Sequence, residues 1–421
     1  MIKPALTLAL LFCTGLSFAQ KKQDIVDSLK YQQDANGLIS SIFKKKNAAD
    51  TGNKKHSNWS VLPSAAYNPS VGFAAGVITS GGKTFGNPAT TTFSVINAGA
   101  YISTAGLSTF EFKNNIFLAD NNWNLQGTWQ VGKTAAMDNG IGTGLKSQSD
   151  GSFSINNLVF DNNADAFPIR YTYIKINERI YRKLSDHIYA GAGFSFNMYD
   201  NIDEEKRDMS MQRSHNYRYS VRNGYPFGEY AANGLLFNIQ YNSRDQLNRA
   251  YKGIYADVVL KVNQKWLGSQ HAAQQLKIEF REYWSLSKKN PENVLAFWHW
   301  SSYLLGGRLP YLELPGTGSD AYGRIGRGYI IGRFKGLSFI YNEAEWRFPL
   351  TRNKLLSAVT FINAETADNQ RGTRLFKYWE PGAGAGLRLL FNKYTRSNLC
   401  IDYGRGNYGA NGLFLGLNEV F

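Results

Sequence analysis

The stretch NEAEWRFPL at residues 342–350 alternates charged and apolar side chains with the two-residue period of a β-strand. Glu343, Glu345 and Arg347 fall on one face, and Trp346 falls on the opposite face. In the wall of a transmembrane β-barrel, one face of each strand meets lipid and the other a polar lumen. The stretch therefore predicts a membrane barrel in which these charges point inward.

Similar alternating segments, separated by turn residues, fill the chain from Trp59 onward. They number sixteen, and single-chain bacterial barrels have even strand counts. The predicted strands are 58–66, 70–80, 91–104, 107–118, 122–132, 169–182, 186–198, 233–243, 252–264, 274–287, 293–306, 337–350, 354–365, 382–392, 396–404 and 411–421.

The connections between these segments differ in length in a regular way. Short turns at one predicted end alternate with long loops at the other, as in outer-membrane barrels with periplasmic turns and extracellular loops. A soluble β-sandwich has no reason to sort its loops in this manner. The predicted long loops are 133–168, 199–232, 307–336 and 366–381. We therefore predict an all-β fold: a sixteen-stranded antiparallel transmembrane β-barrel of the outer membrane.

The first residues have the features of a secretory signal peptide. Lys3 supplies a positive charge, an apolar core follows, and small residues within 17–19 permit cleavage. A lipoprotein signal is the alternative because Cys13 lies in the core, but Phe12 stands where that signal needs a small residue. The predicted regions are a signal peptide at 1–19, a polar periplasmic leader at 20–57 and the outer-membrane barrel at 58–421.

The chain is basic, with a formal net charge of +15 at pH 7. For an exported protein, this charge points to outer-membrane lipid head groups and lipopolysaccharide phosphates as partners, rather than to nucleic acid. Aromatic residues make up 14% of the chain, as expected where aromatic girdles lie at the membrane surfaces. Cys400 is the only cysteine beyond the predicted signal peptide, so no internal disulfide is expected.

No pattern in the sequence points to an enzyme or to a cofactor. Residues 404–409 match G-x-G-x-x-G, but the twelve residues after them leave no room for the βαβ unit of a dinucleotide site. We interpret this segment as a hairpin loop. The five histidines are scattered without metal-ligand spacing, and there is no G-x-S-x-G elbow. We therefore expect neither catalysis nor a bound cofactor or metal.

A tripeptide of arginine, glycine and an aromatic residue precedes the opening stretch. Here it is Arg327-Gly328-Tyr329, with Gly326 before it. Together with residues 342–350, it resembles the signature of the BamA/TamA family of bacterial outer-membrane assembly factors. Glycines on both sides of the arginine permit a tight backbone course. The resemblance implies a multi-pass barrel in the outer membrane of a Gram-negative bacterium.

The resemblance also implies that the long loop 307–336 folds back into the barrel. Its arginine, Arg327, would enter the lumen and pair with an acidic residue, because a guanidinium in a low-dielectric site needs a carboxylate partner. Glu345, which shares the inward face with Arg347, is the first-choice partner. The family often carries an aspartate where this chain has Asn363, so a second ion pair is not expected.

Two further stretches resemble parts of this family. YNSRD at 241–245, with Gly253 after it, resembles a family turn. The resemblance implies that Arg244 and Asp245 lock a periplasmic turn. LPSAAY at 62–67 resembles the start of the family's barrels.

The last predicted strand, 411–421, ends in an aromatic residue. Leu413, Leu415 and Phe421 share one face of it. A terminal aromatic on an amphipathic strand resembles the recognition signal of outer-membrane barrel proteins. Gly416 and Phe421 are the residues predicted to carry this signal.

The resemblance implies a role in inserting or translocating outer-membrane components. In that family the mechanism uses a weak seam between the first and last strands, here 58–66 and 411–421, where an open edge can template a client strand. The leader is too short for the POTRA domains that usually receive clients, so client proteins would need separate periplasmic partners. The alternative function is a plugged channel or a binding subunit of an outer-membrane complex, with loop 307–336 in the pore.

Overall fold

The computed structural model describes residues 32–35, 37–38, 59–68, 72–144, 153–155, 158–160, 166–204, 214–321, 323–369 and 374–421. The predicted signal peptide lies outside these ranges, and so does most of the predicted leader. Within the ranges given, no helix has the length and apolar character needed to cross a membrane.

In the described part of the chain, sixteen long strands form the wall of a barrel, because their alternating sequences favour extended backbone with two distinct faces. Shorter elements lie in the loops: β6 (Phe153–Ile155), β7 (Leu158–Phe160), α1 (His215–Asn223) and β10 (Tyr230–Ala231). The wall strands are β1 (Ser60–Asn68), β2 (Gly72–Lys83), β3 (Ser94–Ser103), β4 (Ser108–Phe117), β5 (Trp123–Asp138), β8 (Phe167–Ser185), β9 (Ile188–Glu204), β11 (Gly234–Asn242), β12 (Gly253–Asn263), β13 (Ala273–Ser285), β14 (Val294–Gly307), β15 (Ser338–Pro349), β16 (Leu356–Ala367), β17 (Glu380–Asn392), β18 (Ser397–Gly406) and β19 (Asn411–Leu417).

Consecutive wall strands pair antiparallel around the barrel, from β1 with β2 to β18 with β19. The ladder passes directly from β5 to β8 and from β9 to β11. The short strands β6 and β7 pair with each other, and β10 pairs with the end of β9 next to β11. Among the residues that the structure describes, no ladder joins β1 to β19. The barrel is therefore nearly closed, with one unsealed seam.

The predicted strands coincide with the sixteen wall strands of the described chain, and most differences are at their ends. The pairing of β5 with β8 continues further than predicted, to Asp138 opposite Phe167. The prediction for the last strand was wrong at its end. β19 stops at Leu417 and not at Phe421, because Asn418 adopts a left-handed φ of +70° that takes the chain out of the ladder.

The two faces of the wall have opposite character. Ile239 and Val258 face each other across β11 and β12 and are exposed on the outside, by 65% and 41%. The next pair, Gln240 and Asp257, points inward, and both residues are buried. An apolar outside and a polar inside suit a barrel that is surrounded by lipid and has a polar lumen.

The connection between β14 and β15, residues 308–337, folds into the lumen, as the family resemblance implied. Its Tyr329 and Phe334 are buried, although they belong to a loop. Helix α1 covers this loop, and the hydroxyl of Tyr219 donates a hydrogen bond to the carbonyl of Leu309 at 2.9 Å. The loop therefore fills part of the barrel interior.

A short piece of the predicted leader contacts the end of the barrel that carries the short turns. The amide of Gln33 donates to the carbonyl of Asn353, at 3.1 Å, in the turn between β15 and β16. The amide of Lys393, in the turn between β17 and β18, donates to the carboxylate of Asp34 at 2.9 Å. These hydrogen bonds tie two neighbouring turns to one segment.

Candidate functional site: the loop anchor and the strand seam

Two glycines make the backbone of the loop tip possible. Gly326 and Gly328 have φ angles of +86° and +113°, in the region that favours glycine. A Cβ atom on Gly328 would lie 2.9 Å from the carbonyl carbon of Arg405 in β18. The loop tip therefore passes so close to the wall that a side chain at Gly328 has no room, and Arg327 between the glycines is directed into the lumen.

Arg327 is buried and paired with three carboxylates from two strands. Its guanidinium contacts both carboxylate oxygens of Glu343, and it lies 2.5 Å from Glu345 and 2.9 Å from Asp402. The ring of Phe361 lies 3.6 Å from the guanidinium carbon. The planar fork of the guanidinium suits these carboxylates, and the pairing offsets the cost of burying the charge.

Glu345, the partner chosen from the sequence, contacts Arg327. The expectation that there would be no second ion pair was wrong. Asn363 uses its side-chain amide to bond the carbonyl of Arg327 at 3.0 Å, and Glu343 and Asp402 supply the additional charges. Alternation places Asp402 on the polar face of its strand, but only the tertiary structure brings that face opposite the loop tip.

The ion pairs continue from the loop tip to the residues that follow β19. Arg388 contacts Asp402 at 2.5 Å and Glu419 at 2.7 Å, and Arg249 lies 3.3 Å from the carboxylate of Glu419. Burial alone would raise the pKa of Glu419, but the guanidinium groups of Arg388, Arg347 and Arg249 outweigh burial and hold the pKa below its usual range. The charged carboxylate therefore ties the end of the last strand to the barrel interior.

Residues 418–421 turn into the lumen instead of continuing along the wall. Arg324 of the inward loop donates a hydrogen bond to the last carbonyl of β19 at 2.8 Å. The ring of Phe421 stacks on Trp298, with centroids 5.1 Å apart and an interplanar angle of 28°. Arg347 donates to a main-chain oxygen of Phe421 at 2.9 Å. The last residues of the sequence are thus held from inside the barrel.

The prediction that Phe421 shares one face of the last strand with Leu413 and Leu415 was therefore wrong. Phe421 is buried inside, while Leu413 and Leu415 are exposed on the outside of β19. Gly416 lies within β19, and a Cβ atom there would come 3.3 Å from the guanidinium of Arg324. The recognition role of Gly416 and Phe421 stays a prediction.

Two glycines of β18 make room for the loop tip, a role that the sequence pattern did not indicate. A Cβ atom on Gly404 would lie 2.7 Å from the amide nitrogen of Gly328. A Cβ atom on Gly406 would lie 2.4 Å from the ring of Tyr329, whose hydroxyl donates to the carbonyl of Pro381 at 2.6 Å. The first two glycines of the G-x-G-x-x-G match therefore serve close packing against the loop.

A second anchor holds the early part of the inward loop. Glu313 is paired with Lys261 at 3.0 Å and accepts a hydrogen bond from the hydroxyl of Tyr199 at 2.6 Å. Burial alone would raise the pKa of Glu313, but the ammonium groups of Lys261 and Lys175 and the tyrosine hydrogen bond lower it to about 2. Sequence reasoning missed Glu313, because nothing in its neighbourhood marks it as an inward residue.

The predicted turn residues follow β11. Asp245 accepts a hydrogen bond from the amide of Tyr251 at 2.9 Å and pairs with Arg396 of a neighbouring turn at 2.7 Å. Arg244 lies over an aromatic ring of β12, 4.4 Å from its centroid. Gly253 has a φ of +108°, so it occupies a backbone position that favours glycine. Both predicted residues therefore bond within the turn: Asp245 accepts from a backbone amide, and the guanidinium of Arg244 donates to the side-chain oxygen of Asn242 at 3.1 Å.

A cavity of about 450 Å³ separates the residues after β19 from the opposite wall of the lumen. Its lining includes Phe414 from the inner face of β19, and Leu413 and Leu415 from the outer face. The lumen therefore keeps open volume beside β19 and the residues that follow it.

No family model matches the chain, and no curated protein matches its sequence. Solved structures match its fold. The chain is similar to BamA from Haemophilus ducreyi lacking POTRA domains 1–3, at 13% identity and a TM-score of 0.52, over 86% of this chain and 70% of that chain. It is also similar to CdiB from Escherichia coli, at 8% identity and a TM-score of 0.52, over 85% of this chain and 61% of that chain. It thus spans less than two thirds of the length of CdiB.

These similarities in fold agree with the features derived from the residues. The wall is antiparallel, the seam is unsealed, and an arginine at the tip of an inward loop is paired inside the lumen. The chain is an outer-membrane β-barrel with a BamA/TamA-like fold.

Proposed function

We propose that this barrel inserts or translocates outer-membrane components through the seam between β1 and β19. The observation that carries the proposal is the absence of a ladder between these two strands among the described residues. An unpaired strand edge presents N–H and C=O groups that can template another strand. A client strand that pairs there would satisfy these groups and would enter the membrane beside the barrel.

Three features of the two strands support a weak seam. Pro63 in β1 has no N–H group to donate to a ladder. Gly412 and Gly416 in β19 have no side chains to pack across the seam. Asn418 turns the following residues into the lumen and removes them from the edge. Each feature lowers the free energy gained by closing the barrel.

The proposed function is tested by depleting the protein and measuring the outer-membrane proteome quantitatively. A broad loss of other barrel proteins is the expected result, because client strands would lack their insertion template. Unchanged amounts of the other barrel proteins in the outer membrane would contradict the proposal.

A disulfide across the seam tests the mechanism more directly. One cysteine is placed in β1 and one in β19, with Cys400 replaced. The matched control joins Tyr403 to Leu413, which already face each other across β18 and β19. We expect the seam disulfide to abolish activity and a reductant to restore it, whereas the control disulfide has no effect. Normal barrel assembly in the seam-locked strain would contradict the proposed mechanism.

A plugged channel or binding subunit is the second candidate function, favoured by the inward loop that fills part of the lumen. The buried Tyr329 and the paired Arg327 hold this loop against the wall. Deleting residues 308–337 should then raise ion conductance across a planar bilayer. Conductance that stays at the level of the intact barrel would count against this second function.

We propose that the partners are outer-membrane lipids around the exposed apolar face, lipopolysaccharide, whose phosphates the net charge of +15 would attract, and client proteins at the seam. The function requires no catalytic step and no cofactor. Stability of the purified barrel in nanodiscs with and without lipopolysaccharide tests the lipid part, and a gain on adding lipopolysaccharide is expected.

A further inference from the structure

Three lysines from three wall strands point into the same part of the lumen: Lys175 in β8, Lys261 in β12 and Lys277 in β13. We name them the lysine cluster. Alternation places each of them on the inward face of its strand. Lys261 repels both of the other ammonium groups, because like charges interact strongly in an interior of low dielectric constant.

Glu313 of the inward loop supplies one negative charge to the lysine cluster. One oxygen of its carboxylate pairs with Lys261 at 3.0 Å, and the other accepts a hydrogen bond from Tyr199 at 2.6 Å. The charges of Lys175 and Lys277 also attract this carboxylate. Three positive charges thus share one negative charge, and the cluster keeps two positive charges that Glu313 does not balance.

The neighbouring inward carboxylates do not balance these two charges either. Asp257 of β12 and Glu279 of β13 each accept a hydrogen bond from an arginine at 2.8 Å. Within the described part of the chain, the ammonium groups of Lys175 and Lys277 form no ion pair, and that of Lys175 contacts only two tyrosine rings. An unpaired charge that is removed from water is destabilising, so this part of the lumen favours a further anion.

Ser302 adds a hydrogen-bond donor beside the lysine cluster. It lies directly opposite Lys277 in the ladder between β13 and β14. Its side chain is fully buried, and its hydroxyl has no hydrogen-bond partner among the residues that the structure describes. Lys175 and Lys277 are only half-buried, so a group in the lumen can reach both side chains. A buried hydroxyl without a partner beside an accessible cation is suited to a bound ion.

We propose that the lysine cluster and Ser302 form a binding site for a phosphate group. A doubly charged phosphate would balance the two charges that Glu313 leaves, and its oxygens would accept hydrogen bonds from Lys175, Lys277 and Ser302. The site goes beyond the proposed function, because it is built on β8, β12, β13 and β14 and needs neither strand of the seam. The phosphate belongs either to a small soluble compound or to lipopolysaccharide.

The test is isothermal titration calorimetry of inorganic phosphate into the full-length barrel in detergent micelles, at about pH 8, where a phosphate group is doubly charged. Ionic strength is held constant with chloride. We expect saturable binding to the wild type. Lys277→Gln should weaken it about tenfold or more, because a hydrogen bond between charged groups is lost. Lys113→Gln is the matched control: Lys113 also borders the lumen, but it is paired with Glu111 at 3.0 Å, so the affinity should stay unchanged.

Unfolding temperatures separate loss of the site from loss of the fold. In chloride buffer without phosphate, Lys277→Gln should unfold at the wild-type temperature or above it, since the substitution removes the repulsion from Lys261. Lys175→Gln is the second variant and should also weaken phosphate binding. Absence of saturable binding, equal affinities of the wild type and Lys277→Gln, or a lower unfolding temperature of Lys277→Gln without phosphate would overturn the inference.

Competition identifies the source of the phosphate. Displacement of inorganic phosphate by lipopolysaccharide, but not by dephosphorylated lipopolysaccharide, would assign the site to the lipid. Phosphate binding that neither form displaces would assign it to a small soluble compound. Equal displacement by both forms would contradict a phosphate site, because the competing group would then not be a phosphate.

Discussion

Replacing Arg327 by alanine should destabilise the barrel strongly, and the residues around it allow the size of the effect to be worked out. Arg327 contacts three buried carboxylates, but two of them keep another cation. Asp402 remains paired with Arg388 at 2.5 Å, and Glu345 remains paired with Arg347 at 2.6 Å.

Glu343 is the carboxylate that loses its compensation. Within the described residues, its remaining partners are the neutral Tyr341 hydroxyl and the Asn363 amide. Arg327→Ala therefore leaves one uncompensated buried charge and not three. Removing one member of a buried ion pair costs about 3–5 kcal/mol, and we expect the free energy of unfolding to fall by that amount.

The measurement is urea unfolding of the purified barrel, with the folded fraction read from heat-modifiable migration on gels. Arg333→Ala is the matched control from the same loop. Arg333 lies 4.9 Å from the ring centroid of Phe334 and 5.8 Å from that of Tyr408, and because each cation–π contact is worth about 0.5–1 kcal/mol, its loss should cost less than the loss of Arg327. The double variant Arg327→Ala with Glu343→Gln should recover much of the stability, because it removes the uncompensated charge. Equal stability of the two arginine variants, or no recovery in the double variant, would refute the reasoning.

Three further predictions concern other contacts of the barrel. The lowered pKa of Glu313, about 2, stabilises the folded state above the ordinary glutamate pKa, and this contribution is lost as the pH falls from about 4.3 toward 2. Glu313→Gln should therefore reduce stability at pH 7 and weaken the loss between pH 5 and pH 2, as measured by thermal unfolding at each pH. Asp245→Ala should lower stability by about 1–3 kcal/mol, because backbone amides and Arg396 lose their acceptor, and unfolding in urea measures this change. Gly404→Ala should undock the loop tip and make it sensitive to protease, whereas Gly412→Ala, whose Cβ would meet only a side chain of its own strand, should not.

The sequence alone determined the architecture of this protein. Two-residue alternation of apolar and polar side chains identifies each wall strand, because one face must suit lipid and the other a polar interior. The lengths of the connections distinguish the end of the barrel with short turns from the end with long loops. Alternation also placed Glu343, Glu345 and Asp402 on inward faces. The resemblance of the motif around Arg327 to the BamA/TamA family implied that the loop enters the lumen. These features are local, so they can be read from neighbouring residues.

The tertiary structure decided which inward residues meet. The contact of Arg327 with Asp402 joins positions 75 residues apart in the sequence, and alternation gives no information about distances across a lumen. The same holds for Glu313 with Lys261, which are 52 residues apart. The inward turn at Asn418 could also not be predicted from the sequence, because the alternation in β19 would permit the strand to continue. Its course depends on Trp298 and Arg324, which become neighbours of the last residues only when the barrel curves around them.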